Sequence, residues 1–94
     1  MGFKDARSKV VSALKNGDYL HETRLNVDEK NKLQTGEVSA DFVIDLIKKC
    51  TGNDHECSPH HQNKSVEVHV LKRDGWYIKF YFVDPATVFI SVHQ

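Results

Sequence analysis

Cysteine and proline are scarce in this 94-residue chain, with two of each, and 13 acidic side chains cancel 13 basic ones. Two cysteines cannot form the dense disulfide framework of small secreted domains, and Cys50 and Cys57 are expected as free thiols. The absence of net positive charge argues against the broad, salt-sensitive grip of strongly basic nucleic-acid proteins. No apolar run approaches the ~20 residues needed to cross a bilayer, so no membrane partner is expected. The opening Met1-Gly2-Phe3-Lys4-Asp5 lacks the apolar stretch of a secretory signal, which makes a cytoplasmic location the expectation.

What is present reads as one globular unit. Two separate cores would each fall below roughly 50 residues, the low end for an independent domain, so a single α+β domain is expected over residues 1–94. Phe3, Ala6, Val10 and Leu14 recur at helical spacing, and Gly17 supplies a left-handed stop. Residues 18–23 read as a short extended segment. Asn26 and Glu29 form a capping pair for a helix from Val27 to about Gln34, ended by Gly36. Ser39 caps a third helix whose apolar stripe runs through Phe42, Val43, Leu46, Ile47 and Cys50. From Thr51 to Lys64 the chain is polar and aperiodic, and is read as a surface loop.

After that loop the period changes from 3.6 to 2. Val66, Val68 and Val70, then Trp76, Ile78, Phe80 and Phe82, then Val88, Ile90 and Val92 all occupy even positions. Cross-strand partners share a face, so even positions should oppose even positions. Pairing Lys72 with Trp76 around a three-residue Arg73-Asp74-Gly75 loop, and Phe82 with Val88, satisfies this rule. The expectation is a three-stranded or slightly larger antiparallel sheet with the helices packed on its even face. Its odd face would then align His69, Lys79 and Ser91 in one row, Glu67, Tyr81 and Phe89 in a second, and Leu71, Tyr77 and His93 in a third.

That odd face has the residue types for cutting RNA without a metal. Attack of a 2′-OH on the neighbouring phosphate needs a base, an acid and a cation. His69, His93 or Glu67 would exchange protons, Lys79 would offset phosphate charge, and Tyr77 or Tyr81 would stack a base or donate a proton. Single-stranded RNA suits such an aromatic face.

The string Trp76-Tyr77-Ile78-Lys79-Phe80, followed by Val88-Phe89-Ile90-Ser91-Val92-His93, resembles the closing hairpin of MqsR-type toxins. The resemblance implies a RelE-like fold, helices first and sheet last. It also implies a metal-independent mRNA interferase with no cofactor, acting on single-stranded mRNA and regulated by an antitoxin protein. Tyr77 and Lys79 match the family's Tyr-x-Lys, and His93 stands where a basic residue follows the family's Ser-aromatic pair. Two family segments ahead of the hairpin, Phe-Tyr-Lys-Ser and Trp-Gln-Asp-Val-Tyr, have no counterpart in residues 51–65. His60 and His61 lie nearest that region and are the candidate RNA contacts there.

Two other readings stay open. The odd face of a solvated sheet is commonly polar, and the same residues would serve a non-catalytic module that binds protein or nucleic acid. Cys50, His55, Cys57, His60 and His61 supply enough soft ligands for zinc, although their spacing matches no common finger and all fall on one helix end and its loop. His21 and Arg24 read as a surface pair.

Overall fold

The structure, a computed structural model, describes residues 1–22 and 30–94. Three α-helices precede most of a five-stranded mixed sheet, in the order α1 (Phe3–Asn16), β1 (Tyr19–His21), α2 (Lys32–Thr35), α3 (Ala40–Lys49), β2 (His55–Pro59), β3 (Glu67–Arg73), β4 (Trp76–Val83) and β5 (Ala86–His93). The strands lie in the order β1-β5-β4-β3-β2, with β1 parallel to β5 and every other pair antiparallel. The sheet therefore has five strands rather than three. The two additions come from the extended segment after α1 and from the stretch read as an uninterrupted loop.

Local chemistry sets the helix boundaries. α1 buries Ala6, Val10, Ala13 and Leu14, and stops where Gly17 adopts φ 76° and donates its N–H to the Ala13 carbonyl. The Ser39 hydroxyl accepts from the Phe42 N–H to start α3, which buries Val43, Ile44, Leu46 and Ile47. Asn31 caps α2 by accepting from the Gln34 N–H. The capping pair Asn26 and Glu29, and the helix start at Val27, lie outside the described residues. Within the segment Thr51–Lys64, a 3₁₀ turn at Gly52–Asp54 leads into β2, which pairs with β3 along its whole length. Edge pairing to a strand already in place holds a polar segment that carries no apolar period of its own.

The register departs from the even-with-even expectation at β3. Asp74 and Gly75 both adopt left-handed backbone, at φ 53° and 81°, and form a two-residue turn whose twist suits a tight hairpin. Arg73 therefore opposes Trp76, and His69 opposes Phe80 rather than Lys79. The next hairpin turns on Asp84-Pro85, a cis peptide, so that Phe82 faces Thr87 rather than Val88. A bulge in β5 at Ile90 then shifts the phase again, so that Lys79 faces Ser91 and Tyr77 faces His93, as the odd-row reading required.

Both faces of the sheet are consequently part apolar. α1, α2 and α3 cover one face, where Leu71, Ile78, Phe80, Phe89 and Val92 join the helix residues in the core. Val68, Val70, Val88 and Ile90 belong to the second face and are buried as well. The loop from His60 to Val66 folds over part of that face, closed by the His60 N–H to Val66 carbonyl bond of 2.9 Å. No helix among the described residues is long and apolar enough to cross a membrane.

Candidate functional site

The register sorts the expected site residues into two groups. On the second face, alternation along β4 projects Tyr77, Lys79 and Tyr81 at intervals of about 7 Å, opposite His93, Ser91 and Val88 in turn. Lys79 and His93 thus share a face, and the described helices cover the other one. His69 and Glu67 do not join them. The two-residue turn rotates β3 by one position, so His69 is buried on the helix face, stacked on Phe80 at 5.6 Å and packed against Phe82 at 5.4 Å. Glu67 lies on the same side as His69 and accepts from the Met1 α-amino group at 2.9 Å. Phe89, expected on the polar face, is fully buried in the core.

Around Lys79 the second face carries an aromatic group on each side. Toward the start of β4, Tyr77 stacks on His93 with ring centroids 5.2 Å apart and planes 23° from parallel. His93 Nδ1 lies 3.0 Å from the Gln94 carbonyl oxygen, so Nδ1 is the donor, and in the neutral ring Nε2 is the acceptor. Toward the end of β4, His60 meets Tyr81 edge-on at 5.1 Å and stacks on His61 at 5.0 Å. His60 Nδ1 accepts from the Gln62 N–H at 3.1 Å, which leaves Nε2–H directed at Glu22 Oε1, 3.4 Å away. Tyr81 donates to the same Glu22 oxygen at 3.4 Å.

Lys79 makes no ion pair with any described residue. It lines a cleft of about 100 Å³ with His60, His61, Ser58, Val68 and Ile90. Glu22 was not singled out in the sequence; its signal was its place beside His21 in the short extended segment, just after β1 ends. The bulge at Ile90 was equally hidden, because an alternating apolar run does not reveal an extra residue. The larger surface cavity, about 580 Å³, lies along α1 and is lined by Arg7, Lys15 and Lys48 together with Ser8, Ser12 and Asn16. It is cationic but holds no imidazole or carboxylate for proton transfer, so the chemistry favours the smaller cleft.

The five ligands weighed for zinc are dispersed. Cys50 is buried against the core, where burial pushes its thiol up to about 11. His60 and His61 lie on the second face, and His55 packs on the helix side, 5.7 Å from the Phe3 ring. Cys57 instead opposes His69 across β2 and β3, beside Glu67. Burial lowers the imidazole pKa of both His55 and His69, and burial, followed by the Glu67 charge, raises that of the Cys57 thiol. The hydrogen bond from the Met1 amino group is the chief cause holding Glu67 below the usual carboxylate range.

His21, read as half of a surface pair, is part-buried and bonded to Asn31, and Arg24 lies outside the described residues. Comparison with protein families, with curated proteins and with solved structures gave no match in any of the three.

Proposed function

We propose that the second face binds single-stranded RNA and cleaves it without a metal, at a phosphate seated on Lys79. The observation that carries this reading is a lysine with no described ionic partner, flanked along one strand by two aromatic and imidazole platforms. Bases stack on such platforms with little sequence preference, and the cation between them takes the connecting phosphate. His93 Nε2, the acceptor of the neutral ring, removes the 2′-OH proton. O2′ then attacks phosphorus, the P–O5′ bond breaks, and His61 returns a proton to O5′ from the other side of Lys79. The products are a 2′,3′-cyclic phosphate and a 5′-OH. Tyr77 and Tyr81 hold bases, Ser91, 6% exposed, backs Lys79 as its cross-strand partner rather than touching RNA, and Glu22 braces His60 and Tyr81. His69 and Glu67 take no part, because they lie across the sheet.

On this reading the chain is a RelE-like toxin of the MqsR type acting on mRNA in the cytoplasm, and an antitoxin restrains it by covering the same face. The test is incubation of purified protein with single-stranded RNA in EDTA. Lys79→Ala and His93→Ala should each lower cleavage by about 100-fold or more with an unchanged melting temperature. A folded protein that leaves RNA intact overturns the proposal. One observation favours a non-catalytic module instead: Leu20, 60% exposed, extends the same face at the β1 edge, as a protein-binding surface would. A stable one-to-one complex without RNA turnover would support that second reading.

A further inference from the structure

On the helix side of the sheet, at its β2–β3 edge, Cys57, Glu67 and His69 bring one thiol, one carboxylate and one imidazole together. Their ligand atoms all lie within 4.8 Å of one another. Cys57 and His69 are direct cross-strand partners, and Glu67 is two residues from His69 on the same face of β3. Three different ligand types thus come from two strands whose relative position is fixed by the ladder between them.

We propose that these three side chains form a zinc site, with Cys57 Sγ, His69 Nε2 and one Glu67 carboxylate oxygen as ligands and an open fourth position facing solvent. This goes beyond the RNA-cleaving face, which lies across the sheet and needs no metal. In a tetrahedral site with bonds of about 2.0–2.3 Å, neighbouring ligand atoms stand about 3.3–3.8 Å apart. His69 Nε2 and Glu67 Oε1 are already 3.6 Å apart, so this edge needs no rearrangement.

The hydrogen bonding of His69 points the same way. His55 Nε2 lies 2.9 Å from His69 Nδ1. When His69 donates through Nδ1–H to His55, its Nε2 lone pair faces the Glu67 carboxylate, two acceptors directed at each other. In the opposite tautomer Nε2–H is 3.6 Å from that oxygen, too long for a sound hydrogen bond. A dication between the two groups satisfies both, and His55 becomes the outer partner that orients the metal-binding imidazole. The Met1 amino group, which now neutralises Glu67, is displaced by the metal, and the Cys57 thiol gives up its proton to solvent. Thiolate, imidazole and carboxylate together suit zinc better than magnesium or calcium.

The test uses the full chain purified without a histidine tag and stripped of metal. Zinc titrated against a chromophoric chelator should bind one ion per chain and raise the melting temperature, and EDTA should reverse the rise. Cobalt(II) should give the near-ultraviolet charge-transfer band of a thiolate ligand. Cys57→Ser should remove that band. Glu67→Gln, which keeps the size of an exposed side chain and removes its charge, should weaken zinc at least about tenfold, and His55→Gln should do so by about 10–100-fold. Absence of a cobalt–thiolate band in the folded protein, or zinc affinity unchanged by Cys57→Ser, overturns the site.

Discussion

Replacing His69 and Lys79 by alanine, one at a time, should give opposite phenotypes. His69 is 1% exposed, stacks on His55 and Phe80, packs on Phe82 and bonds His55. Truncation at a core position of this size costs about 2–4 kcal/mol through lost contacts and the residual cavity. The stranded His55 nitrogen adds to this about 1 kcal/mol or more. The total, about 3–5 kcal/mol, is a large share of the 5–15 kcal/mol that holds a domain of this size folded. Each kcal/mol lowers the melting temperature of such a domain by about 4–8 °C, so His69→Ala should melt more than ~10 °C lower. Lys79 has no described ionic partner to lose, and its truncation should stay within about 0.5 kcal/mol, while the proposed RNA cleavage should fall by about 100-fold or more. Urea and thermal unfolding followed by circular dichroism measure both. A His69→Ala protein as stable as the parent, beside a destabilised Lys79→Ala protein, would refute the assignment of the two residues to different faces.

Other consequences of the fold are equally open to measurement. Gly75→Ala places a Cβ on left-handed backbone at φ 81° and should destabilise by about 1 kcal/mol, read as a shift in the urea midpoint without a change in slope. Asn31 accepts the Gln34 N–H through Oδ1 and therefore presents its amide N–H to His21 Nδ1, 3.0 Å away. His21 must stay neutral to accept that bond, and burial also lowers its pKa. Its contribution to stability is full above the unfolded value of about 6.5 and is lost as pH falls through the lower folded value. Unfolding free energy should thus decline below about pH 6.5, and His21→Gln should flatten part of that decline. The buried Cys50 thiol, at about 11, should resist alkylation in the native protein, while exposed Cys57 is modified first. Equal modification of the two in the folded chain would contradict the placement of Cys50.

α1 and α3 were legible because their signals are local, whereas α2 starts only at Lys32, after a non-helical Asn31 that falls inside the span expected to be helical from Val27. The Ser39 cap, the Gly17 stop and the apolar spacing between Phe3 and Leu14 each act within a few residues. The second face was legible only in its β4–β5 half. Tyr77 and His93, and Lys79 and Ser91, pair as the alternation suggested, but only because a turn and a bulge each shift the phase and the two shifts cancel. At β3 no such cancellation occurs. Asp74-Gly75 is a strong two-residue turn signal, and the three-residue loop that would keep even positions together puts His69 and Glu67 on the face opposite the one they occupy. Even-with-even pairing holds for a sheet with one apolar face, whereas Val68, Val70, Val88 and Ile90 show burial on both. β2 was illegible because His55 to Pro59 is polar and four of its five residues are exposed. Its place comes from an edge offered by β3, a long-range partner that local periodicity does not encode.

The proposed function requires that single-stranded RNA bind the second face. A short single-stranded oligonucleotide, made resistant to cleavage by 2′-deoxy substitution, should be titrated into isotope-labelled protein and followed by amide chemical shifts. The account predicts changes concentrated at Tyr77 to Tyr81, at Ser91 to His93 and at His60 and His61. Shifts confined to the Arg7, Lys15 and Lys48 groove, or none at all at saturating oligonucleotide, would contradict it.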